Sequence, residues 1–143
     1  IEQFDTPEAI YGRPATRYVA EFIGSPAMNF IAVDRREGAL CSASVVLAMT
    51  EAQRVSVDAS RADKLLYGIR PESLSLSGHG LPGSVRMVEP TGPDTYMLID
   101  TELGVLTARL PGTPTHRTGD HVLVSWPAAQ SHLFDAATER RVG

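Results

Sequence analysis

Before residue 26 the apolar positions recur every three to four residues, and from residue 28 onward they come in short alternating runs. In the first part, Thr6-Pro7-Glu8 reads as a helix start. The threonine hydroxyl caps, the proline presets the first helical residue, and the glutamate favours the positive helix end. Gly12 and Pro14 stop that helix and a second begins at Pro14-Ala15-Thr16. Tyr18, Val19, Phe22 and Ile23 then fall on one stripe, Gly24 supplies a C-terminal cap, and Ser25-Pro26 prevents continuation. The pattern predicts two short N-terminal helices over residues 1–26, closed by a hinge at Gly24, Ser25 and Pro26. Neither helix has a partner within its own segment, so a domain boundary is expected near residues 24–28, with 27–143 forming the second domain.

The second part is strand-like. Met28 to Arg36, Leu40 to Leu47, Arg54 to Val57, Leu65 to Arg70, Pro82 to Glu89, Asp94 to Thr101, Gly104 to Leu110 and His121 to Trp126 are short runs between turn signals such as Glu37-Gly38, Thr91-Gly92-Pro93-Asp94 and Pro111-Gly112. Leu106, Ala108 and Leu110 alternate with Thr107 and Arg109, and Val122, Val124 and Trp126 repeat the pattern. Tyr96-Met97-Leu98-Ile99 is apolar on both faces, as a central strand is. The polar stretch from Thr50 to Lys64 reads as a strand flanked by loops. The expected fold is mostly β, a barrel or sandwich of short strands.

Composition narrows the function. Thirteen basic against 17 acidic residues give a net charge of −4, which argues against life on nucleic-acid phosphates. The single cysteine, Cys41, excludes an internal disulfide and a cysteine-built zinc site. No apolar run is long enough for a membrane helix, and residues 1–20 lack the pattern of a secretory leader. There is no Gly-x-Ser-x-Gly, and His79, His116, His121 and His132 lack the spacing that pairs imidazoles on a metal. Gly78 to Gly83 is glycine-rich but lacks the Lys-Ser/Thr of a phosphate loop. No catalytic, cofactor or metal site is therefore expected within these residues.

Three stretches place polar residues where a reason is needed. Pro71 keeps Arg70 extended, so Arg70 and Glu72 bracket a rigid turn, either as a structural ion pair or as an interface contact. Glu89-Pro90-Thr91-Gly92 forms a hairpin loop, plain or exposed for recognition. His132-Leu133-Phe134-Asp135 ends the last apolar run, with Phe134 expected to close the barrel.

Glu2 to Pro14, Ala15 to Ile23 and Gly24 to Phe30 closely resemble the stretch joining the ATPase domain to the C-terminal domain in ATP-binding subunits of ABC sugar importers, of the maltose and glycerol-3-phosphate type. Leu66 to Glu72, Val88 to Gly92, Gly119-Asp120 and His132 to Asp135 follow in the same order, so the resemblance covers essentially the whole chain. It implies an OB-like β-barrel, the transport-associated OB domain, behind an ATPase domain whose last helices are residues 1–26. Such barrels pair two ATPase subunits and receive regulatory proteins. Their regulatory surface maps to Val88 to Gly92 here, which singles out Glu89, Pro90 and Gly92. ATP and magnesium would belong to the ATPase half, whose motifs are missing, and the start at Ile1 inside a family block leads us to expect an excised part.

The leading expectation is a regulatory and dimerisation domain without catalysis. Its partners are a second copy, permease subunits reached through the ATPase domain, and a regulatory protein. Its place is the cytoplasmic face of the membrane. The stripe Tyr18, Val19, Phe22, Ile23 is then covered by the barrel or by a second copy. The alternative is a stand-alone OB module binding a small oxyanion or metabolite through Arg86, Arg109 and Arg117. A single-strand binder wants a basic groove with stacking aromatics and fits less well, and a free-standing enzyme comes last.

Overall fold

Alternation at the strand positions builds two antiparallel sheets. The computed structural model describes residues 6, 11–17, 20 and 26–143. In chain order come β1 (Asn29–Arg36), β2 (Ala39–Ser42), β3 (Val45–Leu47), α1 (Glu51–Ser60), β4 (Lys64–Ile69), β5 (Leu81–Pro90), β6 (Asp94–Thr101), β7 (Gly104–Pro111), β8 (His121–Val124) and β9 (Ser131–Asp135). One sheet runs β3-β2-β1-β4-β9 and the other β7-β6-β5-β8. The inner faces meet in one core that includes Ile31, Val33, Leu65, Tyr67, Ile69, Val85, Met97, Ile99, Leu106, Val124 and Leu133. The fold is mostly β and OB-like, as expected, and β6 is central between β5 and β7. A bulge between Val85 and Met87 bends β5.

Where the sheets meet, a side chain replaces a strand pairing. Asn29 Oδ1 accepts from the Thr107 amide at 2.8 Å, and its Nδ2 donates to the Thr107 carbonyl at 2.9 Å and the Ile69 carbonyl at 3.2 Å. The carboxamide thus joins β1 to the outer edge of β7. Asn29→Ala leaves the Thr107 N–H and C=O without this partner in a mostly buried seam. A loss of about 2 kcal/mol is expected, checked by urea denaturation. A loss below the error of that measurement would mean that the seam does not depend on this residue.

Two expected strands change character. Leu40 to Leu47 is split by a turn at Ala43-Ser44, where Ala43 takes φ of 52°. Ser44 is tied to Glu102 at the β6–β7 turn through both its amide, at 2.8 Å, and its hydroxyl. Arg54 to Val57 is not a strand but lies inside α1. Thr50 accepts from the Gln53 amide while Gln53 accepts from the Thr50 amide, a reciprocal capping box. Thr50-x-x-Gln53 is a sequence signal for it that the strand reading did not use, and the helix has no apolar stripe: only Val57 of it is buried.

Of the N-terminal helices, Tyr11, Gly12, Arg17 and Ala20 have helical backbone. The stripe Tyr18, Val19, Phe22, Ile23 and the hinge residues Gly24 and Ser25 lie outside the described residues. Pro26 is half-buried and precedes β1. No helix among the described residues is long and apolar enough to cross a membrane.

Candidate functional site

The outer face of the β1-β4-β9 sheet is unusually well occupied. Because strand residues alternate, Phe30, Leu66, Gly68, Arg70, His132 and Phe134 all lie on the side opposite the core. The register sets Phe30 beside Gly68, Gly68 beside His132 and Leu66 beside Phe134. Phe134 therefore does not close the barrel. It is fully buried on this outer face, in a small cluster with Ala20 and Met28 against Phe30 and Leu66. Its ring meets Phe30 edge-on at 6.1 Å. Gly68 makes room for that cluster, since a β-carbon there would stand 2.5 Å from Met28 Sδ.

Arg70 is 3% exposed. Pro71 opens a single 3-10 turn, Pro71–Ser73, and Arg70 is held extended at its start. Its guanidinium reaches away from the exposed Glu72, toward the N-terminal segment. Nη2 donates to the Tyr11 carbonyl at 3.1 Å and Nη1 to the Ala20 carbonyl at 3.3 Å, while the group stacks over the Tyr11 ring at 4.2 Å. These bonds tie Arg70 to main-chain carbonyls of its own chain. Burial lowers its pKa from the ordinary arginine value.

Arg141 grips the same segment from the other side. Nη1 donates to the Pro14 carbonyl at 3.3 Å and to His132 Nδ1 at 3.0 Å, and Nε donates to the Gly143 carbonyl at 3.3 Å. Arg13 also donates to the Gly143 carbonyl. An arginine has no acceptor, so His132 Nδ1 must be the bare nitrogen and the ring proton sits on Nε2. Burial first, then Arg141, Arg70 and Arg13, press the His132 pKa down to about 4. Burial, then Arg13, brings Arg141 down to about 10. Main-chain bonds complete the dock: Arg17 N–H to the Glu139 carbonyl at 3.0 Å and Arg141 N–H to the Ala15 carbonyl at 2.8 Å.

The second candidate is the β5–β6 hairpin. Glu89, Pro90, Thr91 and Gly92 are all exposed. Thr91 donates to the Asp94 carbonyl through its amide and its hydroxyl, and the Gly112 amide donates to the Pro93 carbonyl at 2.8 Å. Asp94 accepts from Arg109 Nε at 2.9 Å. Gly92, at φ of +98°, sits in a conformation that a side chain disfavours. The result is a stiff, projecting tip rather than a slack loop. Glu72 is near enough to Arg109 for its charge to help raise the Arg109 pKa, and Arg109 pairs with Asp94 at the base of this hairpin, whereas the Arg70 guanidinium turns toward the N-terminal segment. Two arginines of the oxyanion alternative are held by carboxylates. Arg86 pairs with Asp100 at 2.6 Å and Arg109 with Asp94. No group of three or more metal-ligating side chains occurs among the described residues.

Sequence reasoning missed Arg141 and Asn29. Nothing local marks the reach of either, because Pro14 and Thr107 lie 127 and 78 residues away from them.

The TOBE domain family matches residues 67–134, and the MalK OB fold domain family matches residues 24–74. The chain is 42% identical over 148 residues to the sn-glycerol-3-phosphate import ATP-binding protein UgpC of Cereibacter sphaeroides, covering 99% of this chain and 39% of that protein. It is 41% identical to the protein of the same name from Chromohalobacter salexigens, over 98% of this chain and 39% of that protein. It is 33% identical to the multiple sugar-binding transport ATP-binding protein MsmK of Streptococcus mutans, over 99% of this chain and 41% of that protein. The chain thus spans about two fifths of the length of these relatives. Among solved structures, the cytoplasmic molybdate-binding protein ModG superposes with a TM-score of 0.54 at 13% identity, over 73% of this chain and 94% of that one. At that identity the likeness is one of fold.

Proposed function

We propose a role for a chain that belongs to the TOBE and MalK OB-fold domains of ABC importer ATP-binding proteins: it is the regulatory and pairing domain at the C-terminal end of such a subunit. One observation carries the reading. Nearly the whole chain aligns with ATP-binding proteins of sugar and sn-glycerol-3-phosphate importers, yet it spans about two fifths of them. ATP and magnesium are then handled by the part that precedes it, and this part does no chemistry. It acts mechanically, holding two copies together across a two-fold axis while the ATPase parts open and close. The assembly sits at the cytoplasmic face of the membrane, against permease subunits reached through the ATPase domain.

A regulator binding the barrel shifts the open–closed balance only by preferring one state. The stiff tip at Glu89, Pro90 and Gly92 suits that contact, since a pre-formed loop loses little entropy on docking. In the complete subunit, Glu89→Lys reverses an exposed charge on that tip. It is expected to change the control of solute uptake in cells while ATP hydrolysis by the purified transporter stays at its normal rate. Unchanged control of uptake, or loss of hydrolysis along with uptake, would contradict the regulatory assignment.

A further inference from the structure

The hinge expected at Gly24, Ser25 and Pro26 requires the helical stretch before it to belong to whatever precedes the barrel. The described residues of that stretch are instead bound to the barrel on three sides. Arg70, just after β4, donates to the carbonyls of Tyr11 and Ala20 and stacks on the Tyr11 ring. Arg141, from the C-terminal tail, donates to the carbonyl of Pro14 and takes the Ala15 carbonyl with its own amide. Between these grips, Thr16 bridges to Arg140, Arg17 bonds Glu139 by main chain and by a 3.8 Å ion pair, and the Arg17 guanidinium lies 5.2 Å from the Phe30 ring. Ala20 is fully buried against Phe134 and Met28.

A pivot between two bodies needs few contacts across it. Here the described residues before Gly24–Pro26, 11–17 and 20, are bound to the barrel whose sheet β1 joins directly after it. We infer that residues 11–17 and 20 travel with the barrel as one body, clamped by Arg70 and Arg141, and that the pivot for any preceding domain lies on the N-terminal side of Tyr11. Arg70 and Arg141 are positioning residues: they fix the angle at which a preceding domain enters. The inference stands on these contacts and holds whether or not the barrel regulates a transporter. A hinge at Gly24–Pro26 would let the preceding domain swing freely over the barrel, whereas a clamp passes its motion directly into the β4–β9 edge.

Hydrogen exchange on this chain, followed residue by residue by NMR, tests the clamp. The Arg17 amide reports on it, and the Tyr67 amide reports on the sheet. Clamped, the Arg17 amide exchanges at least about 100-fold more slowly than in an unstructured chain. Arg70→Met and Arg141→Met should each speed it at least about tenfold while Tyr67 keeps its wild-type rate. Exchange of Arg17 at the unstructured rate in the wild type, or a rate unmoved by either variant, would overturn the inference. Should both arginine variants lose Tyr67 protection as well, Tyr11→Leu decides, since it removes only a half-exposed ring from the Arg70 face. Faster Arg17 exchange in that variant supports the clamp, and an unchanged rate refutes it.

Discussion

Phe134→Ala is expected to cost about 3–5 kcal/mol, the range for removing a buried phenylalanine from a packed site. That is a large share of the roughly 5–15 kcal/mol by which domains are stable. The residue is fully buried, yet it sits outside the main core, touching Phe30, Met28, Leu66 and Ala20 on the outer sheet face. Two effects follow from one truncation: a void opens beneath the N-terminal segment, and that segment loses its apolar floor. Phe134→Leu keeps most of the volume and should cost under about 1.5 kcal/mol. Urea denaturation measures both, with the slope unchanged if the unfolded state is unaltered. A Phe134→Ala loss below about 1 kcal/mol would mean that the outer face is not packed as described.

The second large effect is on acid stability. In the unfolded chain His132 titrates near the ordinary 6.5, but in the fold its pKa is about 4 because burial and three arginines disfavour the imidazolium. Between those values the unfolded chain binds a proton that the folded chain does not, so stability rises with pH across the window and is lost as pH falls through it. The contribution is fully retained above pH 6.5 and amounts to a loss of about 3 kcal/mol by pH 4. Glu102 bends the low end the same way: the Ser44 hydroxyl and amide hold its carboxyl below the usual range, so its contribution is lost as pH falls through that range. His132→Asn separates the two, since it keeps an acceptor for Arg141 and removes the titration. Denaturation midpoints at pH 7, 6, 5 and 4 should fall more steeply for the wild type than for the variant. Parallel curves would mean that His132 is not held neutral.

The barrel was legible from sequence because its signal is local. Alternation at Leu106, Ala108 and Leu110 and at Val122, Val124 and Trp126 states which side chains face the core, and the structure buries or half-buries each of them. Residues 51–60 were misread because a mostly exposed helix with one buried residue shows no apolar period, leaving only its Thr50–Gln53 cap as a clue. The dock was half legible. Arg70 before Pro71 stood out as a polar residue in need of a reason, but its reason lies 59 and 50 residues away, at Tyr11 and Ala20. Phe134 reads from sequence as closing the barrel and is buried on the other face, because SHLFD carries one apolar residue on each side, Leu133 and Phe134, and period alone does not choose between them. Glu89 to Gly92 reads as a hairpin loop from sequence, but only Thr91 and Gly92 lie in the turn, while Glu89 and Pro90 still pair in β5 with Tyr96 and Thr95. What docks on it is a property of the partner and leaves no trace in the turn chemistry.

The most direct test of the account is made on the assembled transporter, by comparing solute uptake and ATP hydrolysis in complete subunits with and without residues 27–143. The account predicts that the shortened subunit still hydrolyses ATP while pairing weakens and uptake escapes its normal control. Uptake and its control indistinguishable from the complete subunit, or hydrolysis abolished with the fold of the remaining part intact, would contradict it.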